Sequence, residues 1–249
     1  MRYFFEITYN GKNYHGWQSQ HNALGVQTVV EKVLRQLLRD KELVIVGSSR
    51  TDTGVHCRQQ FFHADVNKSL DPLTLPRRLN AFLPRDIAIR SIRPVKAGAS
   101  ARYAATARTY EYRITRVKDP LLEGVTYYFF KPVDFQTLSR ASALLLGMHD
   151  FECFSKVHTD VDHFRCDVKE ARWMLDGDEM IFRITANRFL RGMVRAVVGT
   201  LLDVGTGRTS IDGFKAILAS GDRKKAGMNV PAEGLSLVSV KYPRRIFID

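Results

Sequence analysis

"VQTVVEKVLRQLLRDKELVIVGSSRTDTGVH", residues 26–56, changes its period halfway along. Val26, Val29, Val30, Val33, Leu37 and Leu38 recur at helical spacing with charged residues on the other face, which predicts an amphipathic helix. From Leu43 the pattern becomes an unbroken apolar run to Val46 and then small hydroxyl residues beside Gly54, which predicts a strand running into a loop. The same alternation extends in both directions. "RYFFEITYN" (2–10) and "QQFFHADV" (59–66) read as strands, "DPLTLPRRLNAFL" (71–83) as a helix and "DIAIRSIRPV" (86–95) as a strand.

The second half repeats the texture. "TARTYEYRITRV" (106–117) is a strand with an aromatic face, and "DFQTLSRASALLLG" (134–147) is a helix with an Asp cap. "EARWMLDGDEMIFRITA" (170–186) is a hairpin around Asp176-Gly177-Asp178, "NRFLRGMVRAVVGTLLDVG" (187–205) a helix, and "LSLVSVKYP" (235–243) a final strand. The pattern predicts an α+β protein of two related lobes, residues 1–104 and 105–249, each a mostly antiparallel sheet with flanking helices.

Lys and Arg number 38 against 26 Asp and Glu, a net charge of +12, and the sequence pI is about 9.8. A polyanion is the partner this favours, nucleic acid before membrane, because no apolar stretch approaches the roughly 18 residues of a membrane span. The amino terminus lacks a signal-peptide pattern, and the odd, sparse set Cys57, Cys153 and Cys166 suits reduced thiols, so a cytoplasmic location is expected.

Four constellations bear chemistry. In an extended "SRTDTGVH", Arg50 and Asp52 share one face while Thr51 and Thr53 point the other way. Asp52 reads there either as an Asx-turn residue or as a working carboxylate. In "YNGKNYHGWQSQ" (9–20), aromatic residues interleave with Lys12 and Gln20 in a way that suits base stacking and phosphate contact, although Trp17 equally suits a core. Tyr110 and Tyr112 face the same way, as a base platform or as packing. Arg188 and Arg191 suit solvent or phosphate, while Arg195 lies at the border of an apolar stripe. Cys153, His158, His163 and Cys166 are zinc-ligand types, but they contain no Cys-x-x-Cys pair, and neither G-x-G-x-x-G nor a Walker A sequence occurs, so neither metal nor nucleotide cofactor is expected.

Taken together, "YNGKNYHGWQSQ", "VQTVVEKVL", "SRTDTGVH", "LNAFLPRDIAI", "ARYAATARTYEY", "GMHDFECF", "NRFLRGMVRAVVG" and "PAEGLSLVSV" resemble the TruA family of tRNA pseudouridine synthases over nearly the whole chain. The resemblance implies a fold of two similar α+β lobes forming a basic cleft. It makes Asp52 the catalytic aspartate, Arg195 its partner, Tyr110 the active-site tyrosine, Arg50 the residue that helps displace the base and Leu235 an apolar wall. It implies a cofactor-free homodimer that isomerises uridines 38 to 40 of tRNA; Lys12, Gln20 and Arg191 are, on their own residue chemistry, the further candidate substrate contacts. Ser49, Thr53 and Asn10 stand where the family usually has Gly, Ala and Asp. The alternative is a catalytically silent tRNA-binding protein of the same fold, against which the intact set of Arg50, Asp52, Tyr110 and Arg195 argues.

Overall fold

The computed structural model describes residues 1–156 and 161–248, which hold ten strands and five α-helices in an α+β fold. The chain divides into two compact units, Met1–Thr106 together with Leu237 onward, and Ala107–Ser236.

In the first unit, β1 (Arg2–Tyr9), α1 (Val26–Leu38), β2 (Ile45–Gly47), β3 (His56–Asp65), α2 (Leu75–Phe82) and β4 (Ile87–Val95) follow one another. The aromatic-rich β1 is an inner strand, antiparallel to β3 with Phe5 opposite Phe62 and to β4 with Phe5 opposite Ile92. The run Leu43–Val46 forms only the short β2, paired with β3. Phe5 and Phe62 stack at 4.8 Å between centroids. Trp17 lies between Tyr9 and Phe62 at 6.2 and 6.0 Å. With 2% exposure it is a core residue rather than a base platform.

Helix α1 buries Val26, Val30, Val33, Leu34 and Leu38, while Val29 and Leu37 are only half-buried. Glu31 takes a buried place on the same stripe. Its carboxylate accepts from the Ile45 amide at 3.1 Å and the Gln27 side chain at 2.9 Å and pairs with Arg35, which offsets the cost of burying charge.

The second unit contains β5 (Ala107–Thr115), β6 (Tyr127–Tyr128), α3 (Phe135–Ala143), β7 (Gly147–Asp150), β8 (Arg165–Asp176), β9 (Glu179–Ala186), α4 (Met193–Gly205) and α5 (Ile211–Ser220). Strands β5, β9, β8 and β7 pair antiparallel in that order, and β6 runs parallel to β5. The hairpin expected at Asp176-Gly177-Asp178 is present. Asp176 faces Glu179 across a two-residue loop, and Gly177 adopts φ +58°, which suits glycine. Asp134 caps α3 through the amides of Gln136 and Thr137.

Helix α4 starts six residues later than the apolar pattern suggests. The Asn187 side chain accepts the amides of Asp167 (2.9 Å) and Arg188 (2.8 Å), and Gly192 adopts φ +74°, so the stretch before Met193 is held as a loop. The last strand, β10 (Leu235–Lys241), closes the chain. Among the described residues, no helix is long and apolar enough to cross a membrane.

Candidate active site

The loop from Ser48 to Val55 joins β2 to β3, and its centre is fixed at Thr51. Thr51 is buried, its hydroxyl lies 2.7 Å from the Tyr9 hydroxyl, and its carbonyl accepts the Trp17 amide at 3.2 Å. Anchoring one residue inward turns its neighbours outward, so Arg50 is exposed and Asp52 half-buried. Thr53 leaves the alternation because the chain turns there. The Asp52 carbonyl accepts the Val55 amide at 3.1 Å, and Gly54 takes φ +78°.

The segment 10–17 clamps this loop from one side. The Gly54 amide donates to the Tyr14 carbonyl at 3.2 Å. A Cβ on Gly16, whose φ is +82°, would lie 2.3 Å from the Thr51 oxygen, and one on Gly11 would lie 2.0 Å from the Val55 oxygen. Only glycine lets the two backbones approach so closely. His56 completes the clamp. Its Nδ1 accepts the Gly11 amide at 3.0 Å and therefore carries no proton.

Lys12 is exposed at the tip of the turn, where its amide donates to the Asn10 side-chain oxygen at 3.0 Å. An amide oxygen serves that acceptor role as well as a carboxylate, which accounts for Asn10 in place of Asp. Gln20 is exposed and donates to the His15 carbonyl at 3.0 Å.

In the second unit, Tyr110 on β5 is buried and meets Phe189 edge to face, with centroids 5.0 Å apart at 83°. In the sequence Phe189 merges into the apolar helical pattern; the glycine at 192, with φ +74°, is the signal that the helix starts later. Tyr112 is a packing residue. It is fully buried, its hydroxyl donates to the Pro231 carbonyl at 2.7 Å, and burial raises its pKa well above the ordinary tyrosine value. Arg195 is half-buried in the first turn of α4, its Nε donates to the Val230 carbonyl at 2.7 Å, and its own carbonyl accepts the Val230 amide. Leu235 is buried at the start of β10, and Arg191 is exposed just before α4.

Of the zinc-type residues, His158 lies outside the described residues. Cys153 and Cys166 are buried as thiols, each pushed up to about 12 chiefly by burial, and His163 sits 3.3 Å from Arg188. Among the described residues, no three His, Cys, Asp or Glu side chains are arranged to hold a metal ion.

Comparison with known proteins adds the chain-wide picture. A family model described as tRNA pseudouridine synthase matches residues 7–104 and 141–243. The chain is 46% identical to the tRNA pseudouridine synthase A of Porphyromonas gingivalis, over 99% of both proteins. It is 45% identical to that of Parabacteroides distasonis, over 99% of this chain and 98% of the relative. Against that of Halalkalibacterium halodurans it is 36% identical, over 92% of this chain and 88% of the relative. The chain belongs to the tRNA pseudouridine synthase family.

Proposed function

We propose that this chain isomerises uridine to pseudouridine at positions 38 to 40 of the tRNA anticodon arm, with Asp52 as the catalytic carboxylate. The reaction breaks the N1–C1′ glycosidic bond, turns the uracil and rejoins C5 to C1′, consuming no redox equivalent. It needs a carboxylate held in a fixed direction, a means of taking the base out of the stack, and a pocket for the detached uracil. Asp52 supplies the first, Arg50 the second, and Tyr110 with Leu235 the walls of the third. Arg195 supplies the cation that partners Asp52 in the reaction. Lys12, Gln20 and Arg191 meet the RNA backbone.

The observation that carries this reading is the anchoring of Thr51, buried and bonded to Tyr9 and Trp17, with Arg50 exposed and Asp52 half-buried on either side of it. A turn that served only itself would not need two backbone segments pressed together through glycines at 11 and 16. The same reading makes the protein a cytoplasmic homodimer without metal or cofactor, tested by sedimentation and by full turnover in EDTA.

The deciding experiment incubates purified protein with unmodified tRNA and maps pseudouridine by carbodiimide-dependent primer extension. Product at positions 38 to 40 supports the reading, and product only elsewhere overturns the target assignment. Binding without product returns the chain to the silent tRNA-binding alternative.

A further inference from the structure

At the opposite end of β1 and β3 from Asp52, the loop 99–104 holds Tyr103, 80% exposed, with the Arg102 guanidinium 5.4 Å from its ring centroid. An exposed tyrosine on a loose loop would mean little, but this loop is fastened at every turn. The Ala101 amide donates to His63 Nδ1 at 3.1 Å, and the Tyr242 hydroxyl to the Ala101 carbonyl at 2.6 Å. Arg2 donates to the Ala99 carbonyl at 3.1 Å, and the Ala104 amide to the Ser100 carbonyl at 2.9 Å. The ring therefore stands on a rigid base and covers no core.

Further cations lie on the chain segments bonded to this loop and to the strand it leaves. The Thr106 amide bonds the Lys241 carbonyl at 2.8 Å, and the Lys96 amide bonds the Ile246 carbonyl at 2.9 Å, which brings the tail with Arg244 and Arg245 alongside the loop. Lys96, Arg102, Lys241, Arg244 and Arg245 are all exposed. Asp65 at the end of β3 is already paired with Arg2 at 2.6 Å.

We propose that this surface is a second RNA contact, in which Tyr103 stacks on an unpaired base while the flanking cations hold its phosphates. The chemistry selects the partner. An exposed aromatic face beside a guanidinium, on a surface of exposed cations, fits a nucleobase between phosphates, whereas an apolar protein surface would leave those charges without partners. Thr51 is tied to Tyr9 and the loop to Arg2, so the length of β1 separates the two contacts by about 20 Å. An RNA that engages both must span that distance, which a folded stem-loop does and a lone uridine does not. The proposal rests on the tRNA reading above and adds to it where the substrate is gripped.

The test measures tRNA binding by fluorescence anisotropy, independently of turnover. Tyr103→Ala should weaken binding about 10-fold, Tyr103→Phe should keep it within about 2-fold, and circular dichroism should show both folded. Arg244→Gln with Arg245→Gln should lower the slope of log Kd against log salt by about 2. Tyr103→Ala binding as tightly as the parent, or Tyr103→Phe losing as much as Tyr103→Ala, would overturn the platform. A parent that binds tRNA through Tyr103 yet forms no pseudouridine upholds this contact and sinks only the catalytic reading. A parent that does not bind tRNA sinks both.

Discussion

Tyr9 and Thr51 meet hydroxyl to hydroxyl at 2.7 Å inside the first unit, joining the end of β1 to the residue before Asp52. This one bond converts a surface loop into a fixed support, because the atoms of Asp52 follow wherever Thr51 is held. Misplacing a catalytic group by about 1 Å can cost on the order of 100-fold in rate.

Thr51→Val keeps the shape and removes the hydroxyl. It should cost about 1–2 kcal/mol of stability by leaving the Tyr9 hydroxyl without this partner, and lower kcat more than it raises KM. Tyr9→Phe should cost a similar amount, and the double variant less than the sum. Urea unfolding and steady-state kinetics on the four proteins check this; strictly additive costs would show that the two hydroxyls do not cooperate.

Gly16→Ala sets a Cβ against the Thr51 oxygen and requires a left-handed φ of an alanine. It should destabilise the protein by about 2 kcal/mol or more and reduce turnover, whereas Gly98→Ala, at φ +83° but with open space around it, should cost only the conformational penalty of roughly 1 kcal/mol. Equal melting shifts for the two would remove the argument for close approach.

Most strands and helices are legible because period and caps are local signals: Asp134 before α3 and Gly177 in the hairpin are read directly, whereas the short β6 and β7, of two and four residues, carry too little period to be read. The apolar spacing that continues through Phe189 and Leu190 predicts a longer α4 than the structure has, because the side chain of Asn187 bonds a strand 20 residues away, a contact invisible in one dimension. Helix α5 gives a weaker signal: Ser210 caps it through the Gly213 amide, but of its residues only Phe214 is buried. At the site, the Arg50-x-Asp52 alternation was readable. The clamp formed by Gly11, Gly16 and His56 was not, because it depends on backbone segments some 40 residues apart meeting face to face.

Burial first, and then the charge of Arg2, hold the pKa of His63 below the ordinary histidine value. As pH falls the unfolded chain therefore takes up the proton before the folded one. The stability linked to His63 is fully present above the ordinary value of about 6.5 and is lost as pH falls through it toward the lower folded value. The urea midpoint should be lower at pH 5.5 than at pH 7.5. His63→Gln, which retains an acceptor for the Ala101 amide, should show a smaller difference. An unaltered difference in that variant would assign the pH dependence to other groups.

Arg195→Met keeps the stem and loses the charge. If Arg195 is the partner of Asp52, turnover should fall sharply while tRNA binding stays within a few-fold of the parent. Full turnover in this variant would show that the two are not partners in the reaction.

Asp52→Asn tests the central claim most directly. Asparagine preserves the local hydrogen bonding of a turn residue but removes the charge that would do the chemistry. The protein should melt near the parent's temperature and bind tRNA with near-parental affinity, because phosphate contacts supply much of the binding. In a single-turnover assay with enzyme in excess it should form no detectable pseudouridine. Product at a rate near the parent's would contradict the account, and Asp52 would be a turn residue only.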